Sequence, residues 1–144
     1  MRDYYRDNKT LIEEESEFVL LHNDFHGQNV IVKEEQGLIH LTGIVDFDNW
    51  YVGSRAQDFI KFDYLILKPL NIPSFYNAFY NAYSKYYEID NKFKKNIEIH
   101  KLLWLLNEFN FESELKRKAY QIDLTSKTSG LLENYLIEIQ AIIR

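Results

Sequence analysis

Cysteine is absent from this sequence, which excludes disulfide staples and thiolate zinc sites together. Basic charge is scarce as well: the formal net charge is −5 and the isoelectric point lies near 5.4. A nucleic-acid partner, whose phosphates demand a basic face, is therefore not expected. No apolar run approaches the ~20 residues that cross a bilayer. The opening Met1-Arg2-Asp3-Tyr4-Tyr5 lacks the apolar stretch of a signal peptide, so no membrane and a cytoplasmic location are the expectation. Proline occurs only twice, at Pro69 and Pro73, and there is neither an internal repeat nor a low-complexity linker. What is abundant is aromatic: 11 Tyr and 10 Phe in 144 residues imply a partly aromatic core in a chain long enough to bury one.

The pattern predicts a single α+β domain, with strands first and helices after. Residues 1–17 are polar and acidic, either a short helix or a frayed arm. Phe18-Val19-Leu20-Leu21 reads as a short buried strand and Asn29 to Val32 as a second. Glu34-Glu35-Gln36-Gly37 signals a turn, after which Leu38 to Val45 makes a third strand. The period then lengthens to that of helices. One opens near Ser54 and breaks at Lys68 to Pro73, and Ser74 caps the next. That helix carries Phe75, Phe79, Tyr80, Tyr83 and Tyr87 at three- and four-residue spacing, a pattern that fits a core face or an association surface. Another runs from about Asn91 to Phe111, with further helix over Glu112 to Asp123, and a last one follows Thr128-Ser129-Gly130. The resulting division is 1–17 as an arm, 18–53 as a loop and hairpin region, and 54–144 as a mainly helical bundle.

The chemistry concentrates in His22-Asn23-Asp24-Phe25-His26-Gly27-Gln28-Asn29 and in Val45-Asp46-Phe47-Asp48. The first run is a polar loop between strands, a favoured setting for function. Phosphoryl transfer to a hydroxyl needs a carboxylate that orients the acceptor and takes its proton. It also needs oxygen ligands for the divalent cations on the nucleotide phosphates, for which Asn and Asp suit magnesium. The spacing H-x-D-x-x-x-x-N, followed after a hairpin by a strand-end Asp, supplies these parts in kinases. A competing zinc reading takes His22, Asp24 and His26, but on a loop and without the Glu of the metalloprotease motif.

These motifs make the chain resemble the aminoglycoside phosphotransferase and choline kinase-like superfamily. Its H-G-D-x-x-x-x-N, I-D-[WF]-[ED] and G-D-P-x-x-D motifs stand here as His22-Asn23-Asp24 to Asn29, Val45-Asp46-Phe47-Asp48 and Gly53-Ser54-Arg55-Ala56-Gln57-Asp58. The resemblance implies the C-terminal lobe of a kinase-like fold with ATP as co-substrate and Mg²⁺ as cofactor. It implies Asp24 as catalytic base and Asn29 and Asp46 as metal ligands. Asp58 would brace the catalytic loop, His22 would support it from beneath, His26 would lie near the phosphates, and Asp48 near the metal or acceptor. Asn23 replaces the family's glycine, and Ser54-Arg55 its Asp-Pro.

By this resemblance the N-terminal nucleotide lobe has no room before Phe18 and is expected to be absent. A homodimer or a partner chain would then cover the face it leaves. The expected acceptor is a small-molecule hydroxyl compound, and the acidic balance favours a cationic one. Trp104, Glu108, Glu112 and Glu114 are candidates to face it. The rival expectation is an inactive kinase-like domain serving as a binding module.

Overall fold

The computed structural model describes residues 2–13, 18–119 and 125–143. Strands precede most helices, as an α+β chain requires: α1 (Arg2–Glu13), β1 (Phe18–Leu21), β2 (Val30–Glu35), β3 (Leu38–Ile44), β4 (Tyr51–Ser54), α2 (Gln57–Phe62), α3 (Lys68–Leu70), α4 (Pro73–Ser84), α5 (Asn91–Ala119) and α6 (Thr125–Ile143). The chain falls into two compact units, one of residues 14–97 and one of residues 1–13 with 98–144. Residues 14–17 of the expected arm and 120–123 of the expected helix lie outside the described residues.

In the unit of residues 14–97, two antiparallel ribbons hold the predicted loop. β1 pairs with β4, Phe18 opposite Ser54 and Leu21 opposite Tyr51. β2 pairs with β3, Val30 opposite Ile44, with a bulge between Ile31 and Val32. The β2–β3 turn is Gln36-Gly37, both at positive φ, which matches the twist of a two-residue hairpin. The strands are less buried than their apolar runs suggest. Leu21 is fully buried, but Phe18, Leu20, Ile31, Val32, Leu38, Ile39 and Leu41 are all exposed, Ile39 to 73%. Among the described residues each ribbon has two strands, with no further strand beside them.

α2 does not start at Ser54, which lies in β4; the Ser54 hydroxyl instead accepts the Ala56 backbone N–H at 3.2 Å. The helix begins at Gln57 and widens to a π-turn over Asp63–Leu67 before α3. Pro69 lacks the N–H that a regular helix needs and crowds the preceding turn, so the ladder widens ahead of it. Asn71 at φ +50° ends the helix in the left-handed conformation. α4 then starts two residues earlier than expected, with Pro73 as its first residue and Ile72, not Ser74, at the cap, where no side chain makes a capping bond.

Around Phe59, Ala56 and Phe93 are buried, and Phe79, Tyr80 and Tyr83 pack against them. Phe59 meets Phe79, Tyr83 and Phe93 edge-on, the arrangement that ring quadrupoles favour. The aromatic stripe thus divides: Phe79, Tyr80 and Tyr83 are core, while Phe75 and Tyr87 are about half exposed. Arg55 stacks on Phe93 and Tyr87, at 4.3 Å and 5.1 Å from the ring centres, and ties the turn after β4 to these aromatics.

In the other unit, Ile99, Leu102, Leu105, Tyr135 and Ile139 are buried, and Lys101 pairs with Glu138 at 3.2 Å. Tyr4, Asn8, Leu11 and Ile12 form the half-buried stripe of α1, at the spacing of one helix face. The stretches expected as two helices from Asn91 onward form the single helix α5 as far as Ala119.

Candidate functional site

The loop after β1 is fixed chiefly through its main chain. The Asp58 carboxylate, in the first turn of α2, accepts the backbone N–H of His22 at 2.9 Å and that of Asn23 at 2.7 Å. His22 is buried, so its N–H would otherwise lack water as well as a partner. Asn23 stands at φ +59°, where glycine is most at ease and Asn is tolerated, and its side chain donates to Asn49 O at 3.2 Å.

The His22 ring lies beneath the loop. Its Nδ1 accepts the Asp24 N–H at 3.3 Å, so Nε2 carries the proton and donates to Val45 O at 2.8 Å. With the Phe47 ring tilted against it, centres 4.4 Å apart, the imidazole links the Asp24 loop to the end of β3. Both ring nitrogens are engaged, so His22 is no metal ligand. Among the described residues, no group of three or more His, Cys, Asp or Glu is placed to hold a metal, and the zinc grouping does not form.

Asn29 makes the second link. It ends the short 3₁₀ turn Gly27–Asn29, which His26 caps by accepting the Gln28 N–H on Nδ1. The buried Asn29 amide donates to Asp24 O at 2.9 Å, and Asn29 O accepts the Val45 N–H at 3.0 Å. Asn29 therefore lies beside the residue that precedes Asp46. Its Nδ2 is used within the loop, which leaves the amide oxygen as the ligand atom it offers. Asp46 is exposed and stands at φ +67°, a conformation that costs a non-glycine residue energy and is concentrated at functional sites. One amide oxygen and one neighbouring carboxylate suit Mg²⁺, which keeps several waters and takes its remaining ligands from phosphate. Asp48 is exposed in the turn that follows.

The Asp24 carboxylate has a partner that sequence reasoning missed. Lys61 of α2 donates to Asp24 Oδ1 at 2.7 Å, while His26 Nε2 stands 3.6 Å from Oδ2. The Lys61 hydrogen bond lowers the Asp24 pKa, and the charges of Lys61, His26 and His22 add to it against the opposing effect of desolvation. The only sequence signal for Lys61 is its place three residues after Asp58, which puts the two on one side of α2.

Two cavities flank this helix. One of about 220 Å³ lies behind the brace, lined by Val19, Leu21, Arg55, Asp58 and Tyr83. The other, about 360 Å³, opens beside the π-turn and is lined by Asp63, Leu67, Lys68, Asn71 and Tyr76. Burial and the nearby Asp63 push the Tyr80 phenol well above its ordinary value, so it remains a neutral hydroxyl. Trp104, Glu108, Glu112 and Glu114 belong to the other unit, where Trp104 packs on Tyr135 with ring centres 6.4 Å apart.

The model of the phosphotransferase enzyme family (APH) matches residues 3–90. The match extends beyond the motif region in both directions and takes in α1 and α4. No curated protein and no solved structure matches the chain.

Proposed function

The chain belongs to the phosphotransferase enzyme family, and from that premise we propose that it transfers the γ-phosphoryl group of ATP to a hydroxyl of a small molecule. Members of the family generally use ATP and Mg²⁺. The observation that carries the reading is the pair of bonds made by Asn29, to Asp24 O and from Val45 N–H. Through one residue, the loop of the proposed base is locked to the strand end of the proposed ligand Asp46.

In this reading Asp24 orients the acceptor hydroxyl and takes its proton, while Asp58 and His22 hold the loop. Asn29 and Asp46 would hold Mg²⁺, which neutralises charge on the nucleotide phosphates when bound. The transition state of such transfers is loose, so the protein contributes mostly positioning and electrostatics. A loop pinned by hydrogen bonds at each of His22, Asn23 and Asp24 suits that task. The net negative charge favours a cationic acceptor, and an ATP-consuming reaction favours the cytoplasm. Among the described residues no helix is long and apolar enough to cross a membrane.

The exposed apolar ribbons favour a second reading, in which a catalytically inactive domain binds a second copy or a partner chain. Isothermal calorimetry with Mg-ATP, followed by a screen for ADP release over hydroxyl acceptors, separates the two. The phosphotransferase reading expects Mg²⁺-dependent nucleotide binding and acceptor-dependent ADP release. No binding at millimolar nucleotide would overturn it in favour of the binding module.

A further inference from the structure

We propose that Lys61 is a positioning residue of the phosphoryl-transfer site, holding Asp24 by Oδ1 so that Oδ2 is the oxygen presented to the acceptor hydroxyl. This rests on the phosphotransferase reading above. Three observations carry it. The contact is short, 2.7 Å, and links residues 37 apart in sequence. Both side chains are largely shielded, Lys61 to 28% and Asp24 to 22% exposure, so their charge-assisted bond is screened less than a surface pair. The same helix also supplies Asp58, which bonds the backbone of His22 and Asn23. α2 thus sets the main chain of the loop with one residue and the reacting side chain with another.

The consequence follows from the chemistry of the step. The acceptor oxygen bonds to the γ-phosphorus, the bond from that phosphorus to the β–γ bridging oxygen breaks, and its electron pair leaves with ADP. The acceptor proton passes to Asp24 Oδ2. With a loose transition state this transfer asks little basicity of the carboxylate and much orientation. A cation that lowers the proton affinity of Asp24 while fixing its direction is therefore compatible with catalysis. His26 Nε2 stands 3.6 Å from Oδ2, beyond a close hydrogen bond, so the ring does not hold that oxygen as Lys61 holds Oδ1.

The test uses the full chain, wild type and with Lys61→Met or Lys61→Arg, carrying carbon-13-labelled aspartate and with Asp24→Asn to assign the signal. Wild-type Asp24 is expected to titrate below the usual aspartate range, Lys61→Met to raise it, and Lys61→Arg to restore it. In an acceptor panel of neutral sugars, amino sugars and amino alcohols, Lys61→Met is expected to lower kcat by about ten- to a hundredfold with KM for ATP unchanged, and Lys61→Arg to recover most of it. A folded Lys61→Arg protein with kcat about a hundredfold or more below wild type would overturn the proposal, even if Lys61→Met failed to fold. Full turnover in a folded Lys61→Met protein would overturn it too and leave the phosphotransferase reading intact. Absence of wild-type ADP release with every acceptor would instead overturn that reading, whatever the titration showed.

Discussion

Asp58 accepts the backbone N–H of Asn23 at 2.7 Å, and Asn23 is held there at φ +59°. The second Asp58 oxygen takes the N–H of His22, so one carboxylate satisfies two consecutive main-chain donors at a left-handed turn. Asp58→Ala leaves both donors without that acceptor, each at a cost of roughly 1–3 kcal/mol. Urea unfolding should show that loss. Asp58→Asn, which keeps one acceptor oxygen, should lose less.

Gly53 is a point of close approach rather than of unusual backbone. A Cβ there would stand 2.6 Å from Gln57 Oε1, 2.7 Å from the Tyr51 ring and 2.9 Å from Leu21 Cδ1. Leu21 is fully buried, and Gln57 accepts from the Tyr51 hydroxyl at 2.6 Å, so a Cβ would displace a core side chain and strain that hydrogen bond. Gly53→Ala is expected to destabilise by about 1–3 kcal/mol, read as a lower thermal midpoint.

Asp46 separates stability from function. At φ +67° an aspartate is strained and a glycine is not, so Asp46→Gly should leave the melting temperature unchanged or raise it. The same substitution removes a proposed Mg²⁺ ligand and should abolish Mg²⁺-dependent ATP binding in calorimetry. A large drop in melting temperature with nucleotide binding intact would reverse both assignments.

The Asp24–Lys61 pair predicts a pH dependence with a definite sign. The folded-state pKa of Asp24 is lowered, first by the Lys61 hydrogen bond, so in the acid range the unfolded chain binds more protons than the native one. The contribution of the pair is full above the usual aspartate range and is lost as pH falls through the lowered folded value. Lys61→Met should therefore be less stable than wild type at neutral pH. The gap between their urea midpoints should narrow as pH falls below the usual aspartate range and close once it passes the lowered folded value.

Much of the local structure is legible in the sequence because it is local. Phe18–Leu21 is a strand with the bounds its apolar run suggests, and Gln36-Gly37 turns where a glycine permits it. The spacing of Asp24, Asn29 and Asp46 is equally plain, and the family match covers all three. What escapes a linear reading depends on distant partners. β4 is a strand because β1 pairs with it across the whole hairpin, and nothing in Tyr51-Val52-Gly53-Ser54 announces that partner. Lys61 has no motif around it, since its meaning comes from Asp24, 37 residues away. Exposure is hidden for the same reason: the apolar runs of β2 and β3 suggest burial, but a two-stranded ribbon gives their side chains no further strand to pack beside.

The central claim is that Asp24 serves phosphoryl transfer from ATP to a small-molecule hydroxyl. Its most direct test incubates the chain with Mg²⁺ and ATP labelled on the γ-phosphorus, over the acceptor panel, and follows the label. The account predicts label in a phosphorylated acceptor with wild type and a loss of about a hundredfold or more with Asp24→Asn. Transfer that persisted undiminished in Asp24→Asn would contradict it.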